Sequence, residues 1–462
     1  MTNSELEEPA FGTSGLRGLA EALTDELVAS YAAVFCKLFP NSGVLFVGQD
    51  LRASSLRIAE AVAIGAANAG LNVVNCGVVP TPALAMVAMQ ADTISIMVTG
   101  SHIPANRNGL KFYRADGEIT KADELAMREG LASISVDLEA SPTMIEAAAR
   151  DAYIARYVNF FGPAALSGKK IGFWAQSSAA REVLPDMLRA LGGEVFLLSP
   201  SKEFVPIDTE AVDDETRGKL KTWANEHGLD AVISTDGDAD RPLLADENGS
   251  VVPGDILGAI TARELGADVV VTPVSANTMV DQMPDFDQIV RTKIGSPYVI
   301  AGMDEAGGRV VGYEPNGGFL LGFTATRGSA EMLPLATRDA VLPILAVLTG
   351  GGGGSVSELV ASLPMRRTAT DRLKDVPREA SDTLVRSILG GDTSALPDDL
   401  GDIQNIDQTD GVRMLFETGT IVTIRPSGNA PELRCYVEAD TEAEASRVMQ
   451  STLKNMREIV SG

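Results

Sequence analysis

The sequence predicts an α/β protein of three similar mixed-sheet domains followed by a C-terminal α+β domain. Three observations lead there. The chain is 462 residues long, too long for one small core, and length alone implies roughly three or four domains. Short apolar runs alternate with helix-like segments in three successive stretches, the pattern of mostly parallel sheets. The C-terminal part then changes to a hairpin, a further strand and a closing helix.

In the first stretch GVLFVGQD (43–50), LNVVNCG (71–77) and DTISIMV (92–98) read as strands, with SLRIAEAVAIGAANAG a helix between them. The second holds KIGFWA (170–175), EVFLLS (194–199) and DAVIST (230–235). The third holds ADVVVTPV (267–274), DQIVRTK (287–293) and GRVVGYE (308–314). Each stretch ends a strand in a polar or glycine-rich loop: TGSHIP (99–104), DGDADR (236–241) and EPNGG (314–318). Open α/β sheets bind ligands at such strand ends.

The last part reads as a hairpin over VRMLFETGTIVTIRPSG, turning at Thr418–Gly419, then the strand ELRCYVEA and a terminal helix. A boundary is expected among MRRTATDRL, near 366–372. The glycines at 350–354 are linker-like in composition, but helix-like segments flank them, so a loop between two helices is the favoured reading. The expected domains are 1–145, 146–253, 254–367 and 368–462.

Composition narrows the function. The formal net charge is −25, a field that repels nucleic acid and anionic membranes. An anionic ligand would need cations gathered at one site. The three cysteines, Cys36, Cys76 and Cys435, are scattered and lack C-x-x-C spacing, which argues against disulfides and zinc. No apolar leader opens MTNSELEEPA and no run reaches the length of a membrane helix. A cytoplasmic protein, monomer or homodimer, is expected.

Three motifs carry chemistry. Ser101 lies in TGSHIPANRNGLKF directly after a strand, where Gly100, Pro104, Asn106, Asn108 and Gly109 make a tight loop able to expose a hydroxyl. A plain polar turn would look the same, and a hydroxyl needs a base, metal or modification to carry a group. His102 is equally able to support the loop or to take a proton. Asp236, Asp238 and Asp240 in DGDADR alternate, so their carboxylates can converge on one hard cation. Without a cation they would repel. An EF-hand is the competing reading, with Glu247 at its twelfth position. It fails at the sixth, which is Arg241 followed by Pro242 instead of glycine. Mg²⁺ suits the set because it needs few carboxylates and leaves room for a phosphate oxygen, to which Arg241 could add a contact.

The third motif, RPSGNAPELR at 425–434, gathers Arg425, Ser427, Gly428, Asn429 and Arg434 as donors for a phosphate. A capped turn with surface ion pairs is the bland reading. FGTSGLRG at 11–18 offers Thr13, Ser14 and Arg17 in the same style.

In this order and together, the motifs resemble the α-D-phosphohexomutase family, from Phe11 to about Glu438, and the terminal loop is most similar to its bacterial phosphomannomutase branch. The resemblance implies four domains around a central cleft, with Ser101 a phosphoserine and Asp236, Asp238 and Asp240 holding one Mg²⁺ with the serine phosphate. It implies that Arg17, Lys111 and Arg241 line the reacting phosphate, and that Lys293, Glu314 and Asn316 meet the sugar. Arg425, Ser427, Gly428, Asn429 and Arg434 would hold the phosphate that is not reacting. The expected reaction interconverts hexose 6-phosphate and hexose 1-phosphate, with mannose as the sugar, through a hexose bisphosphate that also serves as activator.

Two family histidines are replaced, by Phe319 and Ser296, which leaves Lys111 or Lys293 for proton transfer. The alternatives are a mutase of glucose or glucosamine phosphate, a sugar-phosphate-binding regulator, a calcium module and a metal-dependent phosphatase.

Overall fold

A computed structural model describes residues 8–12, 15–146, 148–364, 366–427 and 431–461. The chain forms two compact units. One comprises Met1–Gly266 with Asn316–Leu359, the other Ala267–Pro315 with Val360–Gly462. No helix among the described residues is long and apolar enough to cross a membrane.

The first unit opens with a mixed sheet. Val44–Gln49 lies between Asn72–Val78 and Ile94–Val98, all parallel, and Arg107–Arg114 runs antiparallel to Ile94–Val98. Every residue of Ile94–Val98 is buried, the signature of a strand covered on both faces. The helices Asp25–Leu38 and Ser55–Asn68 contribute Phe35, Ile58 and Val62 to the core beside Leu45, Ile96 and Phe112. These two helices cross closely: a Cβ on Gly65 would stand 2.3 Å from the carbonyl oxygen of Ala29.

A second sheet places Lys170–Gln176 between Glu194–Pro200 and Ala231–Thr235, again parallel. Pro242–Ala245 then returns antiparallel to Ala231–Thr235. The acidic motif is therefore the turn between two paired, buried strands. Phe319–Leu321 pairs antiparallel with Leu335–Asp339, Phe319 opposite Asp339.

In the second unit Val269–Pro273 lies between Gln288–Thr292 and Val310–Tyr313, all parallel. A five-stranded antiparallel sheet follows, in the order Arg367–Lys374, Glu432–Ala439, Ile421–Pro426, Val412–Phe416, Ile403–Asp407. Glu442–Ser461 and Arg378–Leu389 are its helices, and Leu384, Val412, Met414, Ile424, Val437 and Val448 meet in its core.

All nine strands expected in the three stretches are present within two residues of their expected limits. The glycines at 350–354 form a short turn between the helices Val341–Thr349 and Val356–Ala361. Residues 366–372, where the boundary of the last domain is expected, open the strand Arg367–Lys374, which pairs along its length with Glu432–Ala439. Its polar run lacked the apolar alternation of its neighbours because an edge strand keeps one side of its backbone unpaired. Asn108 and Gly109 belong not to a loop but to the strand Arg107–Arg114.

Candidate active site

Ser101 is carried at the end of Ile94–Val98 by a loop that a single arginine organises. Arg52 donates to the carbonyls of Ser101 (2.9 Å), Ile103 (2.6 Å), Pro104 (2.7 Å) and Arg107 (3.0 Å). Its charge is answered by Asp50, 3.2 Å away and fully buried with it, and its guanidinium lies 3.8 Å over the ring of Phe204. Asp50 in turn accepts from the hydroxyls of Thr99 (2.8 Å) and Ser55 (2.5 Å). Ser101 sits at φ 54°, a left-handed conformation that non-glycine residues adopt at a cost and that gathers at functional sites. Its hydroxyl is not exposed, as the loop composition suggested, but fully buried.

That hydroxyl donates to Asp236 Oδ2 at 2.6 Å across 135 residues of sequence. The serine loop and the acidic loop therefore meet, and they meet closely. A Cβ on Gly237 would stand 2.7 Å from the carbonyl oxygen of Ser101, so the glycine between the first two aspartates is demanded by space. Asp236 Oδ1 accepts the amides of Asp240 and Arg241, both at 3.2 Å, which holds the turn closed around Ala239 at φ 57°.

Asp236, Asp238 and Asp240 are fully buried, and an oxygen from each lies within 4.8 Å of the others. The outer oxygens are taken. Asp238 Oδ2 accepts from Thr81 Oγ1 (2.5 Å) and Lys111 Nζ (2.6 Å). Asp240 Oδ2 accepts from Lys111 (2.6 Å) and Arg338 Nη2 (2.7 Å). The inner oxygens, Oδ1 of Asp238 and of Asp240, are buried without a hydrogen-bond partner. With one oxygen of each carboxylate inside the same 4.8 Å cluster, the three aspartates make a hard, all-oxygen donor set, and such a set fits a small divalent cation.

The electrostatics are uneven. Burial, then the charges of Asp238 and Asp240, push the Asp236 carboxyl well above the ordinary range. Burial also raises Asp240, but Arg338, Lys111 and Arg241 outweigh it and hold that carboxyl well below its usual range. Arg17 is lowered to about 10 by burial and by Arg241. His102 Nδ1 lies 3.1 Å from Arg241 Nη1 and 3.3 Å from Ser101 Oγ. A guanidinium only donates, so Nδ1 is the acceptor and the imidazole is neutral. Burial, Arg241 and Arg17 hold its pKa well below 6.5.

The first unit thus brings together Ser101, Lys111, Arg17, Arg241 and the three aspartates. Asn316 is buried in the same unit, its carbonyl accepting from Thr209 at 2.7 Å. In the second unit Glu314 follows the strand Val310–Tyr313 and is buried. Lys293 is exposed, 5.9 Å over the ring of Tyr298. Arg425 and Arg434 stand opposite one another on paired strands. Arg425 Nε is 3.5 Å from Asp410 and Arg434 Nη2 is 3.1 Å from Glu432. The amide of Ser427 donates to the carbonyl of Glu432 at 2.8 Å. Gly428 and Asn429, with Thr13 and Ser14, lie outside the described residues. Glu247, the twelfth position of the rejected EF-hand, accepts instead from the amide and hydroxyl of Ser357.

Sequence reasoning missed Asp50, Arg52, Thr81 and Arg338. Only the pairing of a carboxylate and an arginine two residues apart, just after a strand, could have pointed to the first two.

Four domain families of one enzyme class match the chain in order. They are described as phosphoglucomutase/phosphomannomutase alpha/beta/alpha domain I (residues 8–135), domain II (151–249), domain III (253–366) and the C-terminal domain (369–454). The chain belongs to the phosphoglucomutase/phosphomannomutase family. A phosphomannomutase of Salmonella muenchen is 43% identical over 97% of this chain and 95% of its own length. One from Sinorhizobium fredii is 42% identical over 96% and 98%. The fold agrees: a phosphoglucomutase/phosphomannomutase family protein of Burkholderia thailandensis superposes with a TM-score of 0.75 at 19% identity, covering 97% of this chain and 98% of that one. The chain is accordingly a hexose phosphate mutase, an isomerase that works by phosphoryl transfer.

Proposed function

We propose that this mutase interconverts mannose 6-phosphate and mannose 1-phosphate through a phosphorylated Ser101 and a bisphosphorylated hexose. The observation that carries the mechanism is the 2.6 Å hydrogen bond from Ser101 to Asp236 beside the two orphaned carboxylate oxygens. The two phosphomannomutases above 40% identity over nearly the full chain support mannose as the sugar.

Asp236, Asp238 and Asp240 would hold one Mg²⁺. When bound, such an ion neutralises charge on the phosphoryl oxygens in transfer. The chain's own residues do the rest. The loop held by Arg52 fixes Ser101 Oγ, so that its phosphoryl group is presented in one direction. Arg17 and Arg241 supply positive charge where charge spreads over the transferring group. The Ser101 O–P bond breaks as the bond from phosphorus to a sugar hydroxyl oxygen forms, and the hydroxyl proton passes to a base. Lys111 already donates to both Asp238 and Asp240 at 2.6 Å, so it holds the triad and Lys293 is assigned the role of base. Return of the sugar's original phosphate to Ser101 completes the isomerisation. Glu314 and Asn316 are assigned the sugar hydroxyls, and Arg425, Ser427, Gly428, Asn429 and Arg434 the phosphate at rest.

Intact mass of the purified protein beside Ser101→Ala, with turnover of mannose, glucose and glucosamine 1-phosphates, tests this. Wild type is expected to carry a phosphate adduct that the variant lacks, to prefer mannose, and to exceed the variant's activity by about 100-fold or more. Full activity in the alanine variant removes the serine mechanism, and preference for another sugar removes only the assignment of mannose.

A further inference from the structure

Arg338 belongs to none of the motifs, yet it is the largest fully buried side chain among the described residues. It projects from the strand Leu335–Asp339 and reaches Asp240 Oδ2 with Nη2 at 2.7 Å and with Nε at 3.2 Å, across 98 residues of sequence. Its stem meets a different loop. A Cβ built on Gly318 would stand 2.7 Å from Arg338 Cδ and 3.1 Å from its Cγ. Gly318 has no left-handed backbone to explain it, so the glycine is there to admit the arginine. Asn316 Oδ1 accepts the amide of Gly318 at 2.9 Å, tying the assigned sugar residue to that contact. One residue earlier, Gly317 at φ 87° lies so close to the acidic loop that a Cβ would be 2.7 Å from Pro242 Cγ. The base of the arginine is fixed as well: its neighbour Asp339 accepts the hydroxyls of Tyr153 (2.6 Å) and Tyr157.

We infer that Arg338 is a positioning residue that couples the triad to the Asn316–Gly318 loop, so that an ion held by the aspartates and the geometry of the sugar loop depend on each other. The guanidinium orders the outer oxygen of Asp240 and leaves its inner oxygen for the ion. The methylene stem transmits any displacement of Gly318 to that carboxylate, because the arginine is buried and anchored at both ends. This inference rests on the reading of the triad as an ion site.

The test is a double-mutant cycle read by Mn²⁺ affinity, with free Mn²⁺ measured by electron paramagnetic resonance and circular dichroism confirming that each variant is folded. Gly318→Ala, in the sugar loop, is expected to change the Mn²⁺ Kd by at least about threefold, and the same change is expected to vanish in Arg338→Met. Arg338→Gln, which is shorter and uncharged, serves as the second background should the methionine variant fail to fold. Hydrogen exchange at 316–319 is expected to slow on adding Mn²⁺ to wild type and to be indifferent to it in the Arg338 variant. A G318A effect on Kd below twofold, or one of equal size in both backgrounds, overturns the coupling while leaving the ion site standing. Absence of Mn²⁺ binding by wild type overturns the ion site and the coupling with it.

Discussion

His102 shows how a single side chain is defined by its neighbours. Arg241 donates to Nδ1, and burial beside two arginines keeps the ring neutral. In the unfolded chain the same imidazole titrates near its ordinary value of about 6.5. The unfolded state therefore binds a proton below that pH that the folded state refuses, and stability must fall as pH falls through this range. The contribution is at most about 1.4 kcal/mol per pH unit, reached below the unfolded pKa and absent above it. His102→Asn should flatten the slope of urea stability against pH between about pH 5 and 6.5 relative to wild type. Identical slopes would show that the ring is protonated in the fold. The sequence left His102 between loop support and proton acceptance. The contact that defines its tautomer comes from residue 241, which adjacency to Ser101 could not reveal.

At the scale of one element, the loop 100–107 has two backbone hydrogen bonds of its own, Ile103 to Gly100 and Arg107 to Pro104, and an arginine from a distant turn gathers the rest. Four carbonyls share the guanidinium of Arg52, and Asp50 neutralises it. Burial raises the Asp50 carboxyl, with Arg52 opposing, so removing the arginine leaves an uncompensated buried acid and carbonyls without donors. Arg52→Met is expected to cost about 3–5 kcal/mol in urea denaturation, and Arg52→Lys less, since a lysine restores the charge but not the planar fork. A loss below about 1 kcal/mol would mean that the loop holds itself. The glycine and proline of TGSHIP announced a turn. They could not announce that the turn is buried, since turn residues alone imply a surface.

Across the whole molecule, the two compact units are interleaved in sequence: the chain leaves the first at residue 266, returns at 316 and leaves again at 359. The only two tryptophans, Trp174 and Trp223, pack together in the first unit with ring centroids 5.6 Å apart, so tryptophan fluorescence reports that unit alone. Far-UV circular dichroism reports both. The two signals are expected to give urea transitions at different midpoints, since separately packed units need not unfold as one. Coincident transitions would show a single cooperative unit. The alternation of strand and helix leads to four domains by sequence, and four domain families match the chain in that order; the grouping into two packed units rests on contacts that a linear pattern does not contain.

What the sequence determined by itself was local: strand positions, the three polar loops at strand ends, the alternation of aspartates, and the family those loops resemble. Apolar periodicity and turn chemistry act over a few residues and survive in a linear reading. What only tertiary structure decided was which distant groups complete each loop: Arg52 beneath Ser101, Thr81 on Asp238, Lys111 between two aspartates, Arg338 against Asp240 and Gly318. A buried charge is tolerable only when a partner meets it, and the partner's address lies anywhere in the chain that folding brings within about 3 Å.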